Sequence, residues 1–238
     1  MATERVLIII PCFNERENIG QLMDAILQQQ SDAHVLVVDD NSPDGTAAVV
    51  REAQSRHGDR LKLQVREGKG GRGSAVLFGF QYALQHGYDL IFEMDADFSH
   101  KPEEILLFLQ AIRESDMVIG SRYLPTSEIH NWGAKRTFFS RWANRYARLV
   151  LGIPISDYTN GFRCYQRRAI EALNFDRIDA KGYVVLSEVA YQLHRKGFRI
   201  AEVPTVFINR RRGISNLSRH EIQEAFLSVL RIRFANRG

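Results

Sequence analysis

The chain has 238 residues, of which 45% are hydrophobic and 25% charged, and 32 Lys and Arg against 28 Asp and Glu leave a net charge of +4. This is globular composition: no apolar run reaches the ~18 residues of a membrane span, and the start, MATERVLIII, lacks the basic region, longer apolar stretch and small-residue cleavage site of a secretory signal. Two cysteines, Cys12 and Cys164, exclude a disulfide framework and stand in no metal-type spacing, so the expectation is a soluble-type, cytoplasmic protein of a reducing compartment.

RVLIII (5–10) is a short apolar run closed by Pro11, the pattern of a buried strand. Ile19, Leu22, Ile26 and Leu27 fall at helical spacing and predict a helix over 17–30. HVLVV (34–38) is a second buried-type strand, ending in DDNSPDGT, a loop dense in turn formers. A helix over 46–57, a strand over LKLQV (61–65), a glycine-rich loop REGKGGRG and a helix over 74–86 follow. DLIFEM (89–94) is a fourth strand, Pro102 at a helical first turn starts a helix to 114, and DMVIG (116–120) is a fifth strand. Mostly apolar strands, read as lacking alternation and each followed by a helix, predict an α/β fold with a parallel sheet covered on both faces. Such sheets bind ligands beyond the carboxyl ends of their strands. Pro11–Glu15, Asp39–Asp44, Gly68–Gly73, Asp95–Asp97 and Ser121–Tyr123 are therefore expected to meet at one rim.

The second half has a different texture. WGAKRTFFSRWANRYARLVLG (132–152) is aromatic and basic, with Phe138, Trp142 and Leu149 on one helical face and Arg141, Arg145 and Arg148 on another. SDYTNGFRCY (156–165) reads as a loop, 182–196 as a helix closed by Gly197, and FRIAEVPTVFINR (198–210) as extended segments around Pro204. Ile222, Phe226, Val229 and Ile232 predict an amphipathic helix over 219–235. No repeat, low-complexity linker or boundary interrupts the chain. Residues 1–238 are read as one domain, a nucleotide half over 1–123 and an acceptor half over 124–238 that ends in the amphipathic helix. Basic clusters at Lys135–Arg148, Arg210–Arg212 and Arg231–Arg237 suit phosphate groups or a lipid surface, or are solvated helix faces. No nucleic-acid motif accompanies them, and nucleic acid is not expected as a partner.

Asp95 and Asp97, in EMDADFSHKP, end the fourth strand. Two adjacent carboxylates are costly without a nearby cation, and Mg²⁺ characteristically takes one or two carboxylates plus substrate phosphates. The pair reads as a metal–diphosphate site; a solvent-exposed turn before Pro102 is the plainer alternative. Asp39 and Asp40 end a neighbouring strand within reach of a nucleotide's ribose or base, and Arg122 follows the fifth strand where it can neutralise a phosphate. Lys69 and Arg72 sit in the glycine-rich loop, which is neither a Walker sequence nor a dinucleotide fingerprint. It serves as a flexible anion contact or as an ordinary loop.

PCFNERENI, DDNSPDGT, MDADFSHKP, GSRY, KRTFFSRWAN, DYTNGFRCY, KGYVVLSEV and EVPTVFINRRRG occur in this order. Together they resemble the family 2 inverting glycosyltransferases of the GT-A fold, and most of all the polyprenyl-phosphate sugar synthases of the dolichol-phosphate mannose synthase type. The resemblance covers nearly the whole chain. It implies a Rossmann-like, mostly parallel sheet and transfer of a hexose from a nucleotide diphosphate sugar, of GDP-mannose or UDP-glucose type, to a polyprenyl phosphate. It implies Mg²⁺ or Mn²⁺ as cofactor and peripheral or partner-mediated membrane contact. By the same resemblance Pro11, Phe13, Glu15, Val38 and Asp40 hold the nucleotide. Asp95, Ala96 and Asp97 meet nucleotide and metal, with Asp97 the chief ligand and Ser99 completing the shell. Arg122 and Arg210 bind the diphosphate or the acceptor phosphate, and Arg136 and Ser140 face the acceptor. Glu188 corresponds to a general base of the wider family, needed if the acceptor is a sugar or small-molecule hydroxyl; a solvent-facing helix carboxylate is its other reading. A catalytically silent nucleotide-sugar binder is the remaining alternative. Phe13 stands where members usually have Tyr, Asn216 where a Lys usually follows, and Asn160-Gly161 where Gly-Ser usually precedes Phe-Arg. These departures fall on donor and acceptor recognition and leave the metal pair intact.

Overall fold

The computed structural model describes residues 4–68, 70–179, 184–209 and 219–235. In chain order they form β1 (Val6–Cys12), α1 (Arg16–Gln29), β2 (His34–Asp39), α2 (Thr46–His57), β3 (Leu61–Val65), α3 (Gly71–Gln85), β4 (Leu90–Glu93), α4 (Ile105–Ala111), β5 (Met117–Ser121) and β6 (Glu128–His130). Then come α5 (Ala134–Leu151), β7 (Arg163–Gln166), α6 (Arg167–Glu171), α7 (Val184–Arg195), β8 (Ile200–Pro204), β9 (Val206–Ile208) and α8 (Arg219–Ala235). Seven of these strands make one sheet in the order β3-β2-β1-β4-β7-β5-β8. It is parallel except for β7, which runs antiparallel to both β4 and β5. β6 and β9 pair separately.

The period-2 geometry of a strand explains why β1 is apolar throughout. Leu7 and Ile9 enter a core with Phe80 and Ala83 of α3 and Val185 and Val189 of α7. Ile8 and Ile10 enter the opposite core with Ile19, Leu22 and Ile26 of α1 and Val50 of α2. Gly79 lets α3 lie against β1, because a Cβ there would come within 2.6 Å of the Ile9 side chain. β2 lies on one side of β1 and β4 on the other, so the strand order reverses between β1 and β4 and leaves a crevice beyond their carboxyl ends.

The sequence expectation of a loop over 156–165 is corrected at its end. Arg163–Gln166 is a strand, and it separates β4 from β5. Its side chains hide the signal: four residues begin with an arginine, which is wholly buried. The helix expected from 74 starts at Gly71, taking in the last three residues of the glycine-rich loop. The single helix expected over 102–114 is α4 between two short 3₁₀ turns. α5 packs on α8, where Trp142 and Tyr146 meet Phe226 at ring-centroid distances of 4.8 and 4.6 Å.

Candidate active site

Two loops are stitched together beyond β1 and β2. Asn14 N–H donates to Ser42 Oγ at 2.9 Å, Glu15 N–H to Thr46 Oγ1 at 3.0 Å, and Arg16 N–H to Asp44 at 3.1 Å. Asn14 and Asn41 both take left-handed backbone, with φ of 60° and 57°, a conformation asparagine tolerates better than most residues. Pro11 and Phe13 are partly buried at this rim, and the buried Glu15 accepts a hydrogen bond from Asn18 at 2.9 Å. Val38 packs wholly within the core below. Asp40 is buried and held: Arg66 Nε donates to it at 2.6 Å and the Gly71 N–H at 2.8 Å. Its carboxylate thus meets the first turn of α3, where unsatisfied N–H groups favour negative charge.

Beyond β4, Asp95 accepts from Arg72 Nε at 2.8 Å and lies 3.5 Å from His100 Nε2. Arg72 also donates to Glu93 at 3.1 Å and to the Gly161 carbonyl at 3.2 Å. Burial works against ionising Asp95, but the Arg72 guanidinium, with His100 beside it, outweighs it and holds the carboxyl well below the usual carboxylate range. Asp97 accepts from the Ser99 N–H at 3.0 Å, while Ala96 and Ser99 are buried. Phe98, between them, has φ of 57°. That is a strained backbone for an aromatic residue, of a kind that clusters at functional sites. His100 is wholly buried between Phe162 and Phe207, and neither ring nitrogen makes a hydrogen bond among the described residues.

Of the two readings left open for the glycine-rich loop, neither gave Arg72 the place it takes: it ties Glu93 of β4, Asp95 and the Gly161 carbonyl together. A Cβ at position 161 would collide with its guanidinium, and nothing in the sequence pattern reports that pairing.

Beyond β5, Arg122 is buried and clamped by Asp157, with Nε–Oδ2 at 2.7 Å and Nη2–Oδ1 at 2.8 Å, and it donates to Thr159 at 2.7 Å. Its guanidinium lies 5.3 Å from the ring centroids of both Trp132 and Phe207. Tyr123 donates to Ser140 Oγ at 2.5 Å. Arg136 donates to Asn209 Oδ1 at 2.7 Å and stacks 4.3 Å from the Trp132 ring centroid. Ser140 and Arg136 therefore approach the rim from α5, and Arg122 from β5. Lys69, Arg210, Arg211, Arg212 and Asn216 lie outside the described residues.

Burial opposes charge on Asp157 too, yet Arg122 and three backbone N–H donors prevail and its carboxyl is depressed. A depressed carboxyl contributes stability that is present above its unfolded value, ~3.9, and is lost as pH falls through the folded value. In urea titrations from pH 6 to pH 2, Asp157→Asn is expected to cost about 3–5 kcal/mol at pH 6, because it breaks a buried pair. The gap to wild type should then close below about pH 4. A gap constant across that range would refute the coupling.

Glu188 on α7 is buried and accepts the Asp179 N–H at 2.9 Å. Burial raises its pKa. The solvent-facing alternative for this residue is thereby overturned.

The donors at the β4 rim suit a hard divalent cation: they are carboxylate oxygens, one of them kept ionised by its neighbours. No group of three or more His, Cys, Asp and Glu side chains among the described residues could hold a metal alone.

Residues 7–173 match the family described as "Glycosyl transferase family 2". The chain is 40% identical over 228 residues to "Polyprenol monophosphomannose synthase" of Mycolicibacterium smegmatis, covering 95% of this chain and 86% of that protein. It is 39% identical over 239 residues to "Undecaprenyl-phosphate mannosyltransferase" of Micrococcus luteus, covering 98% and 96%. Among solved structures, glucosyl-3-phosphoglycerate synthase from Mycobacterium tuberculosis with Mn²⁺, UDP-glucose and phosphoglyceric acid aligns with a TM-score of 0.70 at 19% identity, over 98% of this chain and 80% of that one. The same enzyme with Mg²⁺ and UDP gives 0.69 at 18% identity, over 98% and 79%. At such identity the likeness is one of fold, and it agrees with the mostly parallel, helix-covered sheet.

Proposed function

Since the chain belongs to glycosyl transferase family 2 and is a glycosyltransferase of the GT-A fold, we propose that it moves a hexose, of mannose or glucose type, from a nucleoside diphosphate sugar to a polyprenyl phosphate. The observation that carries this reading is the acid pair Asp95 and Asp97 beyond β4, beside the strand-order reversal. Relatives at about 40% identity that are named for polyprenol and undecaprenyl phosphate support the acceptor.

The residues divide the work as follows. Pro11, Phe13, Glu15 and Asp40, on the stitched β1–β2 loops, orient the nucleoside, with Val38 backing them from the core and Ala96 closing the pocket floor. Asp97 and Asp95, with Ser99 alongside, would hold Mg²⁺ or Mn²⁺, which would supply charge neutralisation for the departing nucleoside diphosphate. Arg122, preorganised by Asp157, adds fixed positive charge without reorganisation, and Arg210 is assigned to the same phosphate by the family resemblance alone. Arg136 and Ser140 receive the acceptor phosphate. One of its oxygens forms the new bond to the anomeric carbon from the face opposite the leaving diphosphate, inverting that centre. A phosphate oxygen is already anionic and needs no general base. A hydroxyl acceptor does need one, and only then does Glu188, with its raised pKa, take a proton.

The acceptor must be met at a membrane. No helix among the described residues is long and apolar enough to cross one. α5 instead exposes Phe138 (68%), Trp142 and Leu149 (78%), and α8 beside it exposes Leu227 and Phe234. Aromatic and aliphatic side chains flanked by arginines suit peripheral insertion.

The test is a donor panel with Mn²⁺ and a short-chain polyprenyl phosphate, read by mass spectrometry. GDP-mannose or UDP-glucose is expected to give a glycosyl phosphate lipid, with Glu188→Gln retaining transfer. Transfer to a saccharide hydroxyl without lipid phosphate, lost in Glu188→Gln, would instead establish the hydroxyl-acceptor reading.

A further inference from the structure

α5 carries a second feature that the proposed reaction leaves unused. Arg141, Arg145 and Arg148 recur at intervals of four and three residues and so share one helical face, next to the exposed apolar stripe of Phe138, Trp142 and Leu149. They overhang a groove of about 770 Å³ whose floor is Ile153, Pro154 and Ile155. All three arginines are exposed, and no ion pair joins them to a carboxylate among the described residues. No acidic residue lines the groove. The carboxylates beside the lining residue Ser156 are engaged elsewhere: Glu202 accepts from the Ser156 N–H and Oγ and the Asp157 N–H at 2.8–3.1 Å, and Asp157 holds Arg122.

Three unpaired guanidiniums over an apolar floor make a site for a phosphate-bearing amphiphile. Guanidinium matches phosphate oxygens in bidentate geometry, while the floor and Leu149 accept hydrocarbon. We propose that this groove binds the phosphodiester headgroup of an anionic membrane phospholipid. The groove adjoins the acceptor-phosphate residues, since its lining residues Tyr123 and Asn144 are both hydrogen-bonded to Ser140, but its three arginines are not among them. With the apolar stripe inserted in the bilayer, the arginine face lies between the stripe and the domain, at headgroup level. The occupant is a membrane lipid rather than free phosphate, because the arginine row is continuous with the stripe that enters the bilayer. This deepens the membrane contact proposed above and rests on it.

The experiment uses the full chain and dihexanoyl phosphatidylglycerol below its micelle concentration, with dihexanoyl phosphatidylcholine and glycerol phosphate as comparators, read by isothermal titration. Wild type is expected to bind the glycerol lipid saturably and at least tenfold tighter than either comparator. Arg141→Gln/Arg145→Gln/Arg148→Gln is expected to lose that preference while keeping the Mn²⁺-dependent thermal shift with donor nucleotide. Equal binding by wild type and the triple variant overturns the site. Glycerol phosphate binding as tightly as the lipid overturns the lipid assignment. Since no bilayer is needed, failure here stands apart from failure of membrane docking. That is read separately as co-sedimentation with phosphatidylcholine vesicles containing phosphatidylglycerol, for wild type against Leu149→Ser.

Discussion

Asp97→Ala is expected to abolish the Mn²⁺-dependent stabilisation of the protein by donor nucleotide and to lower sugar transfer by at least ~10³-fold, the scale of losing a preorganised group that meets developing charge. The fold should survive. Asp97 is only partly buried and receives the Ser99 N–H at the end of a strand rather than within the core. A surface change of that kind moves stability by no more than about 1 kcal/mol. A ligand present at ~100 times its dissociation constant adds about 2.7 kcal/mol to wild type, so the two proteins should differ plainly in thermal shift with nucleotide and metal and hardly at all without. Asp95→Ala is the instructive contrast. It removes the partner of Arg72, which is also bonded to Glu93 and Gly161, and should lower unliganded stability as well as transfer. A metal-dependent shift that persists in Asp97→Ala would sink the assignment of Asp97, and with it the proposed leaving-group chemistry.

The difference between these two aspartates marks what the sequence made legible. The place of the acid pair was readable because it is local: an apolar run, then two carboxylates, then a turn. β1, β2, β4 and β5 were readable for the same reason, since each is largely buried and shows as a nearly continuous apolar run; β3, with Lys62 and Gln64 and only Leu61 buried, showed less plainly. What escaped was non-local. The Arg72–Gly161 bond spans 89 positions and the Arg122–Asp157 clamp spans 35, and no periodicity reports such pairings. β6 escaped because three residues with two exposed carry no apolar pattern. β7 escaped because its first residue is charged, and charge ordinarily argues for the surface. Asp40 was legible as an acid at a strand end, but not as one already gripped by Arg66. A residue's type and place can be read from the chain, whereas its partner is chosen by the fold.

Arg163 is where that limit has its largest expected consequence. The side chain is wholly buried at the start of β7 and donates to three carbonyls: Asn160 at 2.9 Å, Leu186 at 2.6 Å and Tyr158 at 2.8 Å. No carboxylate lies within ion-pair distance of it among the described residues. The cation is balanced by oriented backbone dipoles, and those carbonyls depend on it in turn. Arg163→Leu would strip the arginine's donor from each, leaving Tyr158 only the long Ser187 Oγ bond at 3.4 Å and Leu186 only its place in the α7 ladder, at about 1–3 kcal/mol for each bond lost, and open space where the guanidinium was. We expect a loss of at least about 4 kcal/mol, a large part of the ~5–15 kcal/mol that separates folded from unfolded domains. Arg163→Lys keeps the charge but not the planar fork, reaches fewer of the three carbonyls, and should fall between the two. The loss would not stay in the core. Asn160 belongs to the loop whose N–H groups hold Asp157 against Arg122, and Leu186 stands two residues before Glu188 on α7. Urea melts of the three proteins decide the matter, provided that the slope is unchanged so that midpoints report stability. An Arg163→Leu midpoint equal to that of wild type would mean that the carbonyls find other donors, and that the acceptor-side loop is held by something other than this arginine.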